Sequence, residues 1–146
     1  MKIVDKIINK QNTSKEDFNM SKVKFYICEN CGNIIVKLHD SRVPVSCCGD
    51  RMNELVPNVV EASGEKHIPV AEVKDGIVKV NVGAVDHPMV EAHWIEWIYL
   101  EFENGGVFHY LNPDEEPSAE FAIGSQKPVA VYAYCNLHGL WKSEIK

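Results

Sequence analysis

The sequence lacks any apolar run approaching the roughly 20 residues that span a bilayer, and it lacks an excess of positive charge. Fifteen Lys+Arg stand against 21 Asp+Glu, a formal net charge of −6. That is the wrong sign for a general nucleic-acid binder or for attachment to anionic lipid, so no nucleic acid and no membrane is expected as a partner. Charges break up the apolar positions of MKIVDKIINK. The reading is therefore of a chain without a signal-peptide core, expected in the cytoplasm. Neither a repeat nor a low-complexity tract occurs, and 9 Gly and 7 Pro with 45% hydrophobic residues exclude collagen, coiled coil and general disorder.

What is present is enough apolar material for one ordinary domain or two small ones in 146 residues. Charge divides the chain. Residues 1–60 hold nine Lys+Arg and seven Asp+Glu, net +2, whereas residues 61–146 hold six and fourteen, net −8. Residues 1–22 read as an N-terminal arm or short helix, with Ile3, Val4, Ile7 and Ile8 at helical spacing and Thr13 and Glu16 in a capping-box pattern. Residues 23–57 read as strand, CxxC turn, strand, turn and strand, with Ile34, Ile35, Val36 and Leu38 ahead of a polar corner. Residues 58–146 read as repeated short strands without a helical period. Val78, Val80 and Val82 alternate with polar residues, Trp94 to Phe102 is apolar on both faces, Val107 to Tyr110 follows an Asn104-Gly105-Gly106 turn, and Val129, Val131 and Ala133 alternate toward Cys135. The fold class is mainly β: a small metal-bound unit followed by a β-sandwich.

Cysteines and histidines are unevenly placed. Cys28, Cys31, Cys47 and Cys48 fall close together, while Cys135 stands apart beside His138. A disulfide framework needs an oxidising compartment and sits poorly with an odd total of five cysteines, so a reduced metal cluster is favoured. Four soft ligands in two pairs suit a tetrahedral thiolate site, which either zinc or iron can occupy. The adjacent second pair departs from the repeated CxxC knuckle of a zinc ribbon. A unit of about thirty residues cannot bury enough apolar surface to fold unaided, so the metal is a physical requirement of it. His67, His87, His93 and His138 lie with Cys135 at expected strand ends and turns, where one end of a sandwich can gather them. Pro69 and Pro88 restrict the backbone beside His67 and His87. His39 and His109 have no such setting. Four neutral imidazoles and one thiolate leave a six-coordinate divalent ion one open position, the arrangement of a reactive centre. Thiolate donation favours reduction of a bound oxygen species, which makes zinc a poor occupant.

Six ordered motifs now carry a resemblance. They are Tyr26-Ile27-Cys28-Glu29-Asn30-Cys31-Gly32-Asn33, Cys47-Cys48-Gly49-Asp50-Arg51-Met52, Glu65-Lys66-His67-Ile68-Pro69, Asp86-His87-Pro88-Met89, His93-Trp94-Ile95 and Cys135-Asn136-Leu137-His138-Gly139-Leu140-Trp141. Over about residues 23–146 the chain resembles desulfoferrodoxin, the two-iron form of superoxide reductase. The resemblance implies a desulforedoxin-like domain with iron on Cys28, Cys31, Cys47 and Cys48. It also implies an immunoglobulin-like, neelaredoxin-type sandwich whose second iron is bound by His67, His87, His93 and His138 equatorially and by Cys135 axially. Glu65 and Lys66 then take the family's loop positions over the open face, the carboxylate binding oxidised iron and the ammonium attracting superoxide.

The activity so implied is one-electron reduction of superoxide to hydrogen peroxide, with electrons from an external donor such as rubredoxin. A homodimer is the family's common form. Two other classes are compatible with the residues alone: a zinc-stabilised interaction module, colourless and redox-silent, and a dismutase or electron carrier. Metal analysis and product stoichiometry separate them.

Overall fold

The computed structural model describes residues 23–146. The arm or helix expected over 1–22 lies outside the described residues. Apolar triplets form β1 (Phe25–Ile27) and β2 (Ile34–Val36), and shorter or more polar segments form β3 (Ser46–Cys47), β4 (Asp50–Arg51) and β5 (Asn53–Leu55). β1 lies between β2 and β5, antiparallel to both, and β3 pairs with β4. Such strands bury little: Phe25, Cys28 and Met52 are the buried apolar residues of this unit. Leu38, expected with the apolar run, is 99% exposed beyond the end of β2.

A four-residue helix, α1 (Gly64–His67), precedes the sandwich and is the only helix among the described residues. It is too short to leave a helical period in the sequence. Seven strands follow: β6 (Pro69–Lys74), β7 (Ile77–Val82), β8 (Ile95–Phe102), β9 (Gly105–Tyr110), β10 (Ser118–Ala122), β11 (Pro128–Cys135) and β12 (Gly139–Glu144). One sheet has the order β10-β7-β6 and the other β12-β11-β8-β9. The alternation at Val78, Val80 and Val82 turns all three inward, against Ile98, Leu100, Val131 and Ala133 of the facing sheet.

The alternation expected along β11 holds for Val131, Ala133 and Cys135 but not for Val129, which packs with the opposite face beyond a register shift, and that opposite face is covered as well. Val131, Ala133 and Cys135 join the sandwich core, while Ala130, Tyr132 and Tyr134 belong to a second cluster with Trp97, Tyr99 and Phe25. The Phe25 ring lies 5.0 Å from Trp97 and 5.6 Å from Tyr132, so β1 anchors the small unit on the outside of the four-stranded sheet. The turn between β8 and β9 also differs from expectation. Gly105 and Gly106 pair with Phe102 and Glu101 inside the ladder. A Cβ on Gly106 would run into the Tyr99 ring, which explains a glycine in that strand.

Candidate functional site

The candidate ligands sit at the ends of strands, in the turns that join them, or at the end of α1. Cys28 follows β1, Cys31 is in the next turn, Cys47 closes β3 and Cys48 begins the turn to β4. Neighbouring residues on a strand point to opposite faces. Cys48 and Gly49 escape this by taking left-handed conformations, φ 54° and 81°, which brings the adjacent pair Cys47 and Cys48 into one site. The Sγ atoms of Cys31 and Cys47 are 3.6 Å apart and those of Cys47 and Cys48 4.0 Å apart. Sulfurs bound at about 2.3 Å in a tetrahedron lie about 3.8 Å apart, so the four thiols fit one ion. As free thiols they cannot all ionise. The Cys31 backbone N–H draws the Cys28 thiol down to about 7, whereas hydrogen bonds with Cys31 and Cys28 push Cys48 up to about 12.

The second set gathers at one end of the sandwich. His67 closes α1, His87 is in the turn after β7, His93 precedes β8, Cys135 ends β11 and His138 precedes β12. One donor atom from each lies within 4.8 Å of the others. His67 Nε2 is 3.0 Å from His138 Nδ1 and 3.1 Å from His87 Nε2. Nitrogens at about 2.1 Å from one ion, at right angles, lie about 3.0 Å apart. These contacts are therefore the edge of a square of donors aimed at a common point. The far nitrogens say the same: His67 Nδ1 is held by the Ser63 carbonyl at 2.7 Å and His87 Nδ1 by the Pro88 carbonyl at 2.6 Å, which leaves each Nε2 facing inward. His93 Nε2 is buried with no hydrogen-bond partner. An orphaned imidazole nitrogen among three others fits a metal ligand. The Cys135 side is fully buried, while His93 and His138 are half-buried, so solvent reaches the site at these two residues. His39 and His109 join neither set.

Residues outside the two donor sets also shape the site. Trp141 packs its ring 4.8 Å from that of His67 and donates its Nε1–H to the His138 carbonyl at 3.1 Å. Gly83 passes directly beneath α1: a Cβ there would come within 2.5 Å of the Glu65 carbonyl and 2.9 Å of the Lys66 carbonyl carbon. Glycine thus permits the close approach that holds the Glu65-Lys66 segment in place, assisted by the Val85 N–H donating to the Glu65 carbonyl at 2.9 Å. Glu65 is exposed, with its carboxylate 3.5 Å from the Ser63 hydroxyl, and Lys66 is half-buried. Among the described residues the ion pairs join Lys37 to Asp40, Lys79 to Glu120 and Lys142 to Glu144, so Glu65 and Lys66 do not neutralise each other.

The desulfoferrodoxin family model matches residues 59–144, which hold all five members of the histidine and cysteine set. The chain belongs to the desulfoferrodoxin family. A desulfoferrodoxin from Syntrophotalea carbinolica is 47% identical over 124 residues, covering 84% of this chain and 97% of that protein. The superoxide reductase of Thermococcus kodakarensis is 40% identical over 100 residues, covering 56% of this chain and 87% of the other. The crystal structure of the superoxide reductase from Treponema pallidum superposes with a TM-score of 0.71 at 30% identity, covering 84% of this chain and 97% of that one. Its extent includes the small unit as well as the sandwich, in agreement with the two-part architecture. Among the described residues no helix is long and apolar enough to cross a membrane.

The desulfoferrodoxin site has a pH signature of its own. Burial holds His67 and His93 below the usual imidazole range and pushes His87 down to about 4. In metal-free protein, His87 is then neutral when folded but takes up a proton below about 6.5 when unfolded. Stability is therefore full above that pH and declines as pH falls toward 4, with the unfolded chain binding the extra proton. His87 alone accounts for about 3 kcal/mol across the window. Urea melts of metal-free protein should show this decline between pH 7 and pH 4.5, and a flat profile would contradict the burial argument.

Proposed function

We propose that the chain acts as a superoxide reductase on two iron ions, the first held by Cys28, Cys31, Cys47 and Cys48 and the second by His67, His87, His93, His138 and Cys135. The single observation that carries this is the convergence of four imidazole nitrogens and one thiol on one point at the solvent-facing end of the sandwich. Superoxide takes up one electron and two protons and leaves as hydrogen peroxide. Iron held by these residues would supply that electron, and an external one-electron donor would restore it.

The chain's own residues make that chemistry selective. Carbonyl acceptors fix the tautomers of His67 and His87, so both offer a neutral Nε2. The buried Cys135 sulfur, whose burial pushes its thiol up, is anionic only opposite a cation and then donates charge strongly. Lys66 guides the anion. Residues 61–146 carry net −8, which repels superoxide, and a single half-buried ammonium beside His67 reverses the field locally. Glu65, on the same turn, supplies the carboxylate for the oxidised state.

Residues 23–57 form the desulforedoxin-like unit in this reading and 58–146 the catalytic sandwich. Asn58 supports the boundary, since its side chain and backbone exchange hydrogen bonds with Lys142 and Leu140 of β12. The donor is a rubredoxin-like protein in the cytoplasm. The homodimer is supported by edge strand β9, which is exposed throughout and presents Val107, Phe108 and Tyr110 beside an apolar groove shared with Phe25, Ile34 and Ile35.

The test of the function is product stoichiometry with a supplied reductant. A reductase yields one peroxide per superoxide and no dioxygen; a dismutase yields half as much peroxide with dioxygen. Lys66→Ala is expected to slow the bimolecular reaction about 10-fold at low salt and to flatten its salt dependence. An unchanged rate and salt slope would remove Lys66 from the mechanism.

A further inference from the structure

His93 differs from its neighbours. The rings of His67 and His87 are oriented by backbone carbonyls, and His67 is also packed by Trp141. The ring of His93 makes no hydrogen bond, and its Nε2 is the buried orphan of the site. Edge-on contacts with the rings of His87 at 4.6 Å and His138 at 5.0 Å pack it, and no hydrogen bond among the described residues fixes it, so its placement depends on its backbone. One side chain grips that backbone on both sides. Asn136 accepts the Trp94 N–H through Oδ1 at 3.0 Å and donates from Nδ2 to the Ala92 carbonyl at 3.1 Å, while its own N–H donates to the Trp94 carbonyl at 3.2 Å. The residues before and after His93 are thus tied to the residue that follows Cys135. The remaining tie is the mutual backbone pair of His93 with Val90.

We propose that Asn136 is the positioning residue of the five-ligand iron site, its carboxamide setting the distance between the His93 segment and the Cys135–His138 turn. This rests on the reading of that set as an iron site. An amide is needed because the two ends of the grip are opposite in kind, one accepting and one donating. Aspartate retains the bond from Trp94 N–H but sets a carboxylate against the Ala92 carbonyl. Alanine loses both side-chain bonds. Glutamine keeps both groups but is one methylene too long for a gap spanned at 3.0 and 3.1 Å. Partners that orient a metal ligand are worth about 10–100-fold in metal affinity.

The test uses the full protein loaded with iron, the four-cysteine site serving as reference within the same molecule. Chelator competition followed by metal analysis and absorption spectra should show Asn136→Ala losing iron from the histidine site about 10–100-fold more readily than wild type. Asn136→Asp should be intermediate, and the four-cysteine site should be unchanged in both. In a His93→Ala background, Asn136→Ala should add less than about 2-fold, because its effect passes through His93. Wild-type affinity in Asn136→Ala, parallel loss from both sites, or a full additional loss without His93 would each overturn the proposal. Wild-type protein holding no iron at the histidine site would instead overturn the reading beneath it.

Discussion

Cys135→Ser is expected to cut superoxide reduction by more than about 100-fold, since partners that merely orient a ligand are worth about 10–100-fold and here the ligand itself is lost. The substitution is nearly isosteric and the side chain is fully buried at the end of β11, where Cys135 pairs with Gly139 and Ile95. The sandwich should therefore stay folded. What changes is the donor. A thiol held up by burial still yields a thiolate beside a metal ion, whereas a serine hydroxyl at the same place remains protonated near neutral pH. The four imidazoles then face the ion without the anionic sulfur that enriches it in electron density. Two measurements check this: the second-order rate of superoxide loss and the sulfur-to-iron absorption band of the oxidised protein. Activity within 10-fold of wild type with the band gone would show that the thiolate is dispensable.

Cys28→Ser should melt the small unit and leave the sandwich standing. Each strand of β1, β2 and β5 is three residues long, and the buried apolar residues are Phe25, Cys28 and Met52, one of them a candidate ligand. A structural thiolate ion contributes about 10–16 kcal/mol to folding such units, far more than this core can supply. Amide exchange over residues 26–55 should accelerate about 1,000-fold or more, which corresponds to about 4 kcal/mol of lost protection. Amides of β8 and β11 should keep their protection, since the sandwich core forms without the small unit. Release of Phe25 uncovers Trp97, Tyr99 and Tyr132, so the variant should also bind a hydrophobic dye. Persistent protection in β1 and β2 would mean that Phe25 packing, and not the metal, holds the unit.

Legibility differed by feature. Period-two alternation revealed β7 because one face of that strand meets the core and the other meets solvent. In β11 it put Val131, Ala133 and Cys135 on the core face but gave no sign that the other face is covered too, by the cluster around Phe25. α1 was invisible because four residues carry no period. Gly105 and Gly106 looked like a turn by composition, but Gly106 is required by the Tyr99 ring on the adjoining strand β8. The two sets of candidate ligands that converge were legible because their chemistry is rare and their spacing strict. The residues that orient them, Ser63, Gly83 and Asn136, were not, since they act through a carbonyl, an absent side chain and an amide that have countless ordinary uses.

The amino-acid order alone determined which nine side chains bind metal in the proposed reading, the division into a small thiolate unit and a β-sandwich, and the sign of the field superoxide must cross. Folding in three dimensions decided which nitrogen each histidine presents, how two adjacent cysteines share one site, and how α1 is seated on Gly83. The reason is physical: donor identity is a property of a residue, whereas donor direction is set by hydrogen bonds and contacts to partners as far off in sequence as Trp141 is from His67.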